Sequence, residues 1–218
     1  MEDIIIYPKA GDTNPPPKIL KRYTKLSNLK NILLNRTLSF SNPDFWYDKN
    51  DTELINIYKK KTGIQNLFVL CFASGPETIH FWETYAGGDS GCCINFNAEY
   101  LLKLFNRHNL RHGYVQYEEI KYLPQLELSV NNIPFMKRWP YRIEEEYRVF
   151  YFADDNTKKY EIDIDLKECL HKIVLSPDVP KSVLDKLKKQ LKNITNKTTH
   201  HTTVLKNKNW IKHFRSIE

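Results

Sequence analysis

The sequence is poor in cysteine and glycine. Its 218 residues include 4 cysteines and 7 glycines. The cysteines have no Cys-x-x-Cys spacing, and two of them are adjacent, which is an awkward arrangement for a disulfide bond or a zinc site. We therefore expect reduced, buried thiols and no metal at these four positions, which are Cys71, Cys92, Cys93 and Cys169.

Several motifs that mark common chemistries are absent. The sequence contains neither Gly-x-x-x-x-Gly-Lys nor Gly-x-Gly-x-x-Gly, so we do not expect nucleotide binding through these two phosphate loops. Ser90 lacks the Gly-x-Ser-x-Gly elbow of a serine hydrolase. No period of about 20 to 50 residues repeats, which excludes a solenoid.

Long apolar runs are absent as well. The run Ile4–Ile6 is too short for a membrane span, and it follows Glu2 and Asp3 rather than a basic segment, so it does not read as a signal peptide. The chain is nevertheless 41% hydrophobic and 13% aromatic, which is enough for a core at this length. We expect a cytoplasmic protein that does not contact a membrane.

Acidic residues are scarce near the C-terminus. The formal net charge is +7, and between residues 181 and 215 the one acidic residue is Asp185. This basic C-terminal segment, residues 181–218, also carries Trp210 and Phe214, and its charge is suited to a nucleic acid backbone. A solvated, lysine-rich helix face is the other interpretation, because no groove-reading motif accompanies the charge.

The succession of short strands with a few short helices between them predicts an α+β fold. We expect an N-terminal strand and a Pro-rich arm over residues 1–18, because the prolines of the arm can continue neither a helix nor a strand. A single domain is expected over residues 19–218. Strands are predicted at 19–24, 68–72, 91–96, 114–117, 147–152, 160–164 and 173–175. Helices are predicted after Ser27, after Asn97 and over 182–191, and a loop is predicted over 45–51.

Three adjacent carboxylates, Glu144 to Glu146, precede the β-prone run 147–152. Like charges repel at a strand entrance, and sheets are poor in glutamate, so local structure gives little reason for them. One interpretation is a carboxylate held rigidly for acid/base or cation-stabilising chemistry. The other is a solvated run paired with Arg142 and Arg148.

Two further groups of residues have competing interpretations. His200 and His201 are adjacent, and neighbours on a strand point to opposite faces, so we do not expect them to share a metal ion. Tyr85 follows Trp82 by three residues, a helical spacing that is usual for core aromatics. The Gly87-Gly88 turn that follows is also a place where a ligand could approach the backbone.

Several of these segments together resemble an uncharacterised bacterial family, the domain of unknown function 2971. The resemblance covers roughly residues 19 to 177. It is carried by Leu20-Lys21-Arg22-Tyr23-Thr24, 32–41, 45–51, Cys71-Phe72, Phe81–Ala86 with Gly91–Phe96, Lys137 with Trp139, and Glu144-Glu145-Glu146-Tyr147-Arg148.

The layout of that family is in turn similar to the ADP-ribosyltransferase fold, in which a split, mainly antiparallel sheet binds NAD. The resemblance implies that Glu146 is the catalytic carboxylate, with Glu144 as the competing choice. It also implies that Arg22 contacts NAD and that Tyr85 stacks on nicotinamide. The full set of implied NAD-binding residues is Arg22, Tyr23, Thr24, Trp82, Tyr85 and Arg148.

The leading hypothesis is an NAD-consuming transferase or NAD glycohydrolase, acting as a bacterial toxin or phage-defence effector. Its acceptor is not readable from the sequence; nucleic acid is one possible acceptor, and an antitoxin or other protein is a possible partner. The alternative is a non-catalytic module that binds nucleic acid or a nucleotide through the basic C-terminal segment. A third hypothesis is a metal-dependent nuclease using Asp48, Asp51, Glu144 and Glu146.

Overall fold

The computed structural model describes residues 16–87, 90–153, 157–192, 198–204 and 207–215. The strands in these ranges are β1 Ile19–Lys25, β2 Thr37–Ser39, β3 Asn66–Ala73, β4 Gly91–Asn97, β5 Arg111–Tyr114, β6 Gln116–Glu118, β7 Met136–Arg138, β8 Glu146–Ala153, β9 Glu161–Asp163, β10 Leu170–Leu175 and β11 Thr198–His201. The α-helices are α1 Leu26–Asn35, α2 Lys49–Thr62, α3 Ile79–Thr84, α4 Ala98–Arg107, α5 Leu166–Cys169, α6 Lys181–Lys192 and α7 Lys208–Arg215. Within the same ranges, 3₁₀ turns lie at Pro43–Phe45, Ile120–Gln125, Val130–Phe135 and Trp139–Glu144.

The described residues form two compact units. The first unit takes in the residues up to Leu20 together with Thr37–Gly75 and Ala98–Ile164, and the second takes in Lys21–Arg36, Pro76–Asn97 and the chain from Asp165 onwards. The single domain expected over residues 19–218 stays a prediction. The predicted N-terminal strand and most of the Pro-rich arm, up to residue 15, lie outside the described residues, as does Gly88.

The first unit is built on β8, which pairs antiparallel with β3 on one side and with β5 on the other. Helix α2 presents Asp51, Ile55 and Tyr58 as its buried residues, a spacing of four and three that places them on one helical face. Ile55 and Tyr58 pack with Phe150 of β8 in the core of this unit. The same face therefore carries the Asp51 carboxylate towards the interior.

The second unit contains β10, which pairs antiparallel with β4 and parallel with β11. Helix α6 belongs to this unit and buries Leu184, Leu187 and Leu191, which recur at helical spacing. Because β2 and β9 also pair antiparallel, most strand pairs in the described residues are antiparallel. The predicted α+β fold with a mainly antiparallel sheet is confirmed.

Local structure departs from the sequence prediction in three places. Lys25, not Ser27, is the N-cap of α1. The predicted loop over 45–51 is wrong at its end, because Asp48 caps α2 by accepting a hydrogen bond from Asn50 N and so starts the helix at Lys49. The predicted strand 114–117 is divided into β5 and β6 at Val115, whose N–H donates to Glu146 O.

The four cysteines are free thiols. Cys92, Cys93 and Cys169 are buried, whereas Cys71 on β3 is half-buried. Burial raises the pKa of the Cys93 thiol to about 12 and that of Cys169 to about 12, so both stay protonated at neutral pH. No described helix has the length and apolar character needed to cross a membrane.

Gly91 at the start of β4 leaves no room for a side chain. A Cβ built there would lie 2.3 Å from Ala86 O and 2.4 Å from Ala86 Cβ. Because a backbone atom of a buried residue cannot simply swing aside, Gly91→Ala is expected to lower the free energy of unfolding by about 1–3 kcal/mol. Urea denaturation measures this, with Ser90→Ala as the exposed control, expected within about 0.5 kcal/mol of the parent. Equal stabilities of the two variants would contradict the packing.

Candidate active site

Five ionisable side chains lie together inside the first unit, and we refer to them as the charge cluster. They come from α2, from β7, from the 3₁₀ turn that precedes β8 and from β8 itself, and all are buried. The members are Asp51, Lys137, Glu144, Glu146 and Arg148. Buried charges are tolerated only when they are paired and hydrogen-bonded, so the geometry of the cluster decides whether it is stable.

The ammonium of Lys137 lies between three carboxylates. Its Nζ atom is 2.5 Å from Glu144 Oε2, 3.2 Å from Glu146 Oε2 and 3.6 Å from Asp51 Oδ2. The first two distances are hydrogen bonds in which the lysine donates. Lys137 therefore holds the carboxyl groups of Glu144 and Glu146 beside each other.

Arg148 fixes the orientation of Glu146 from the other side. Its Nε and Nη2 atoms donate to the two oxygens of Glu146, both at 3.0 Å. Nη2 also donates to Asp51 Oδ2 at 2.5 Å, and Nη1 donates to Pro134 O at 2.9 Å. The guanidinium lies over the ring of Trp46, 5.2 Å from its centroid. With a bidentate pair, the carboxylate of Glu146 has little freedom to rotate.

Glu145 gives the chain the bend that separates the two buried carboxylates. Its φ of 37° is left-handed, which is uncommon for a residue other than glycine. Ser74 holds this bend, since its N and Oγ donate to Glu145 O at 2.9 and 2.7 Å. As a result Glu145 is exposed, whereas Glu144 and Glu146 are buried.

Glu146 has further contacts on β3 and β6. Its backbone N–H donates to Tyr117 Oη at 2.8 Å, and its carboxylate takes a hydrogen bond from the Cys71 thiol. Burial, followed by the negative charge of Glu146, raises the pKa of Cys71 well above its usual range, so the thiol keeps its proton as a donor. The carboxylate is thus surrounded by donors from Cys71, Lys137 and Arg148.

These contacts determine the protonation state of Glu146. Burial by itself would raise the pKa of this carboxyl, but the charges of Arg148 and Lys137 and their hydrogen bonds lower it to about 2. Burial lowers the pKa of Lys137, but the neighbouring carboxylates outweigh it and leave that pKa raised. At neutral pH Glu146 is therefore an anion. Across the cluster, three carboxyl groups lie beside the two basic groups of Lys137 and Arg148.

Of the predicted NAD-binding residues in the second unit, Tyr23, Thr24 and Trp82 are buried. Tyr23 is buried and stacks on Phe81 with ring centroids 4.7 Å apart, and it meets Trp82 edge-on at 5.3 Å. Trp82 is buried and donates from Nε1 to Glu77 Oε1 at 2.7 Å. Thr24 is buried and accepts a hydrogen bond from Asn28. These three side chains therefore pack in the interior of their unit.

Tyr85 and Arg22 differ from those three. Tyr85 is 43% exposed, and it lies edge-on to His80 with centroids 5.9 Å apart. Arg22 on β1 is half-buried. Of the residues that the resemblance implies for NAD, Tyr85 is the aromatic side chain with a face open to a ligand.

The structure decides between several interpretations made from the sequence. The interpretation of a solvated run is wrong for Glu144 and Glu146, because both are buried, although Glu146 does pair with Arg148 as that interpretation expected. The nuclease hypothesis is also wrong in its ligand set: three of its carboxylates converge on Lys137, and Asp48 instead caps α2. Lys137 was not predicted as a site residue. The available signal was the resemblance, which names Lys137 together with Trp139 ahead of the run Glu144 to Glu146.

No protein-family model matches the sequence, and no curated protein matches it. The chain is similar in fold to solved structures of Thermus sp. 2.9 DarT. The complex with NAD+ is 12% identical with a TM-score of 0.41, covering 87% of this chain and 98% of that one. The complex with ADP-ribosylated ssDNA is 15% identical with a TM-score of 0.44, covering 91% and 98%. Membership of the domain of unknown function 2971 stays a prediction.

The low pKa of Glu146 predicts how stability depends on acid. Its folded pKa of about 2 lies below the ordinary value of 4.5, so its contribution is present above pH 4.5 and is lost as the pH falls towards 2. Over that window the parent should lose about 3 kcal/mol of unfolding free energy that Glu146→Gln does not lose. Urea denaturation at fixed pH measures both curves. The exposed neighbour variant Glu145→Gln should follow the parent, and parallel curves for parent and Glu146→Gln would contradict the assigned pKa.

Proposed function

We propose that the protein consumes NAD by breaking the bond between nicotinamide and ribose, with Glu146 as the essential carboxylate. The observation that supports this is the rigid placement of the Glu146 carboxylate, whose two oxygens accept hydrogen bonds from Nε and Nη2 of Arg148. The nearby cations also lower the pKa of this carboxyl to about 2. Cleavage of this glycosidic bond passes through an oxocarbenium-like state, which a fixed carboxylate stabilises electrostatically.

The low pKa of the Glu146 carboxyl distinguishes this role from general acid/base catalysis. A general base works best with a pKa near the working pH, because it must take up a proton and give it back. A carboxyl with a pKa of about 2 does neither at neutral pH. What it supplies is a permanent negative charge and a hydrogen-bond acceptor for a ribose hydroxyl, which is what a cationic transition state requires.

In the proposed step, the bond between C1′ of the ribose and the nicotinamide nitrogen breaks, and its electron pair stays on the nitrogen. Nicotinamide leaves as a neutral molecule. An acceptor oxygen or nitrogen then bonds to C1′ and releases its proton to solvent; with water as the acceptor the reaction is NAD hydrolysis. Glu146 stabilises the charge that develops on the ribose between these two events.

The other members of the cluster have supporting roles. The three nitrogen atoms of Arg148 are engaged with Glu146, Asp51 and Pro134 O, so we assign Arg148 to orienting Glu146 rather than to contacting NAD. Lys137 keeps Glu144 close to Glu146. Glu144 is the second carboxylate in reach of the same site and remains the competing choice for the catalytic role.

The proposal also covers the substrate and the biological role. The DarT structures hold NAD+, carba-NAD+ and ADP-ribosylated ssDNA; for this chain we propose NAD as the substrate and a macromolecular acceptor that experiment must identify. An enzyme that destroys NAD harms its host cell, so a toxin or phage-defence role is the matching proposal. Growth arrest on expression of the parent, relieved by Glu146→Gln, would support that role.

Replacing Glu146 by glutamine tests the catalytic assignment. Glutamine keeps the shape but removes the charge, so nicotinamide release is expected to fall by about 10²- to 10³-fold. Liquid chromatography follows NAD and nicotinamide, with cell lysate or single-stranded DNA added as a source of acceptors. Circular dichroism checks that the variant folds.

Glu145→Gln is the matched control, because it removes a carboxylate from the adjacent position while leaving the charge cluster unchanged. It should retain parental turnover. Equal rates for the parent and Glu146→Gln would remove the assignment of Glu146. Loss of activity in Glu144→Gln alone would transfer the catalytic role to Glu144.

Tyr85 is expected to contribute to binding rather than to the charge of the transition state. An aromatic face is suited to stacking on nicotinamide, and stacking of this kind is worth about 0.5–1.5 kcal/mol. Tyr85→Ala should therefore raise the Kd for NAD by about three- to tenfold, whereas Tyr85→Phe should bind like the parent. Calorimetric titration measures both values. Unchanged affinity in Tyr85→Ala would exclude Tyr85 from the binding site.

A further inference from the structure

Among the described α-helices, α7 is the one with no buried residue. Its large apolar side chains are exposed to 66% at Trp210, 46% at Ile211 and 52% at Phe214. The rings of Trp210 and Phe214 lie 5.1 Å apart, so they share one face of the helix. No described residue buries this face.

Helix α6 of the same unit provides an internal comparison. It is also lysine-rich and amphipathic, but its apolar residues Leu184, Leu187 and Leu191 are buried. Its lysines therefore face solvent above a covered apolar face. Helix α7 has the same kind of sequence pattern without the covering, which sets it apart from a helix that merely completes a core.

An eight-residue helix is not stable on its own in water, because so few backbone hydrogen bonds do not offset the cost of nucleation. An amphipathic helix of this length normally gains its stability by burying its apolar face. Three bulky side chains on α7 supply such a face, so we expect a partner to cover it.

The charge of α7 indicates the chemistry of that partner. The helix contains Lys208, Lys212, His213 and Arg215, and residues 207–215 include no acidic residue. A second copy of α7 would bring like charges together, which disfavours self-association. An anionic partner is electrostatically matched.

The positions of these residues on α7 favour a lipid surface over a nucleic acid as the anionic partner. At about 100° per residue, Trp210, Ile211 and Phe214 occupy one arc of the helix. The cations Lys208, Lys212 and Arg215 occupy a second arc, which borders the first on the side of Ile211. A nucleic acid strand is bound by rings and cations on the same surface, so that bases stack while phosphates are neutralised. On α7 the aliphatic Ile211 lies between the rings and the cations, and it offers no face on which a base could stack. An apolar arc of tryptophan, isoleucine and phenylalanine bordered by cations is the pattern of a helix lying in a membrane interface.

We propose that α7 binds the surface of anionic lipid bilayers, with Trp210, Ile211 and Phe214 inserted at the boundary between headgroups and acyl chains. The cations on the polar face are attracted by the negative headgroups. This surface association differs from spanning a membrane, and it revises the sequence expectation of no membrane contact. It does not depend on the proposed NAD chemistry.

Co-sedimentation of the full chain with vesicles tests the proposal. Vesicles of phosphatidylcholine with phosphatidylserine should bind the parent, and vesicles of phosphatidylcholine alone should not. Trp210→Ala with Phe214→Ala should weaken binding to the anionic vesicles about tenfold or more. Lys208→Gln with Lys212→Gln should weaken it about thirtyfold, because each cation near the surface contributes about 1 kcal/mol.

The control variant removes the same charge from the covered helix. Lys186→Gln with Lys189→Gln on α6 should bind anionic vesicles within about threefold of the parent. If the α6 and α7 lysine variants lose binding equally, the attraction is a general effect of net charge and the proposal is overturned. Absence of binding to anionic vesicles overturns it too, and so does binding to a single-stranded oligonucleotide in place of vesicles.

Discussion

The first unit depends on one ammonium group, that of Lys137, placed between the carboxylates of Asp51, Glu144 and Glu146. Without it, the buried carboxylates would repel one another in a medium that screens charge poorly. Arg148 supplies the second cation and binds Glu146 in bidentate fashion. The five charged side chains come from four separate elements, and the pairing and packing of those elements bring them together.

This constraint accounts for the chemistry that we assign to the site. The charges of Arg148 and Lys137 lower the pKa of Glu146 and so keep this carboxyl ionised. Such a site favours a substrate in which positive charge develops, and it is poorly suited to shuttling protons. Replacing a buried ion cluster of this size with apolar residues is often neutral or stabilising. A buried cluster of five charged side chains is therefore easier to explain by a role in the proposed chemistry than by stability alone.

The sequence predicted regular structure best where apolar periodicity was strong. The run 68–72 on β3 and the helix 98–107 were identified because their apolar residues follow a strand or helix pattern without interruption. Helix α2 was not predicted, because its apolar residues Ile55 and Tyr58 are few and its start depends on the Asp48 cap. Pattern reasoning has little to work with in such a polar helix.

The candidate site was predictable only in part. The run Glu144 to Glu146 was noticed because it breaks a local rule for strands. Asp51 was grouped with it only as a metal ligand, and Lys137 was named only as part of the resemblance. Their ion pairs with the run were not predicted, because the five charges become neighbours only through pairing of strands and packing of α2 against them. Apolar periodicity likewise could not predict that the aromatic side chains of α7 are exposed. Helices α6 and α7 have similar amphipathic patterns, but only α6 has buried residues.

The most direct test of the central claim is a crystal structure of Glu146→Gln grown with NAD, because the loss of charge should leave the substrate intact. The account predicts that the nicotinamide ribose lies against position 146, with a ribose hydroxyl within hydrogen-bond distance of the substituted side chain. NAD bound with its ribose out of reach of positions 144 and 146 would contradict the account.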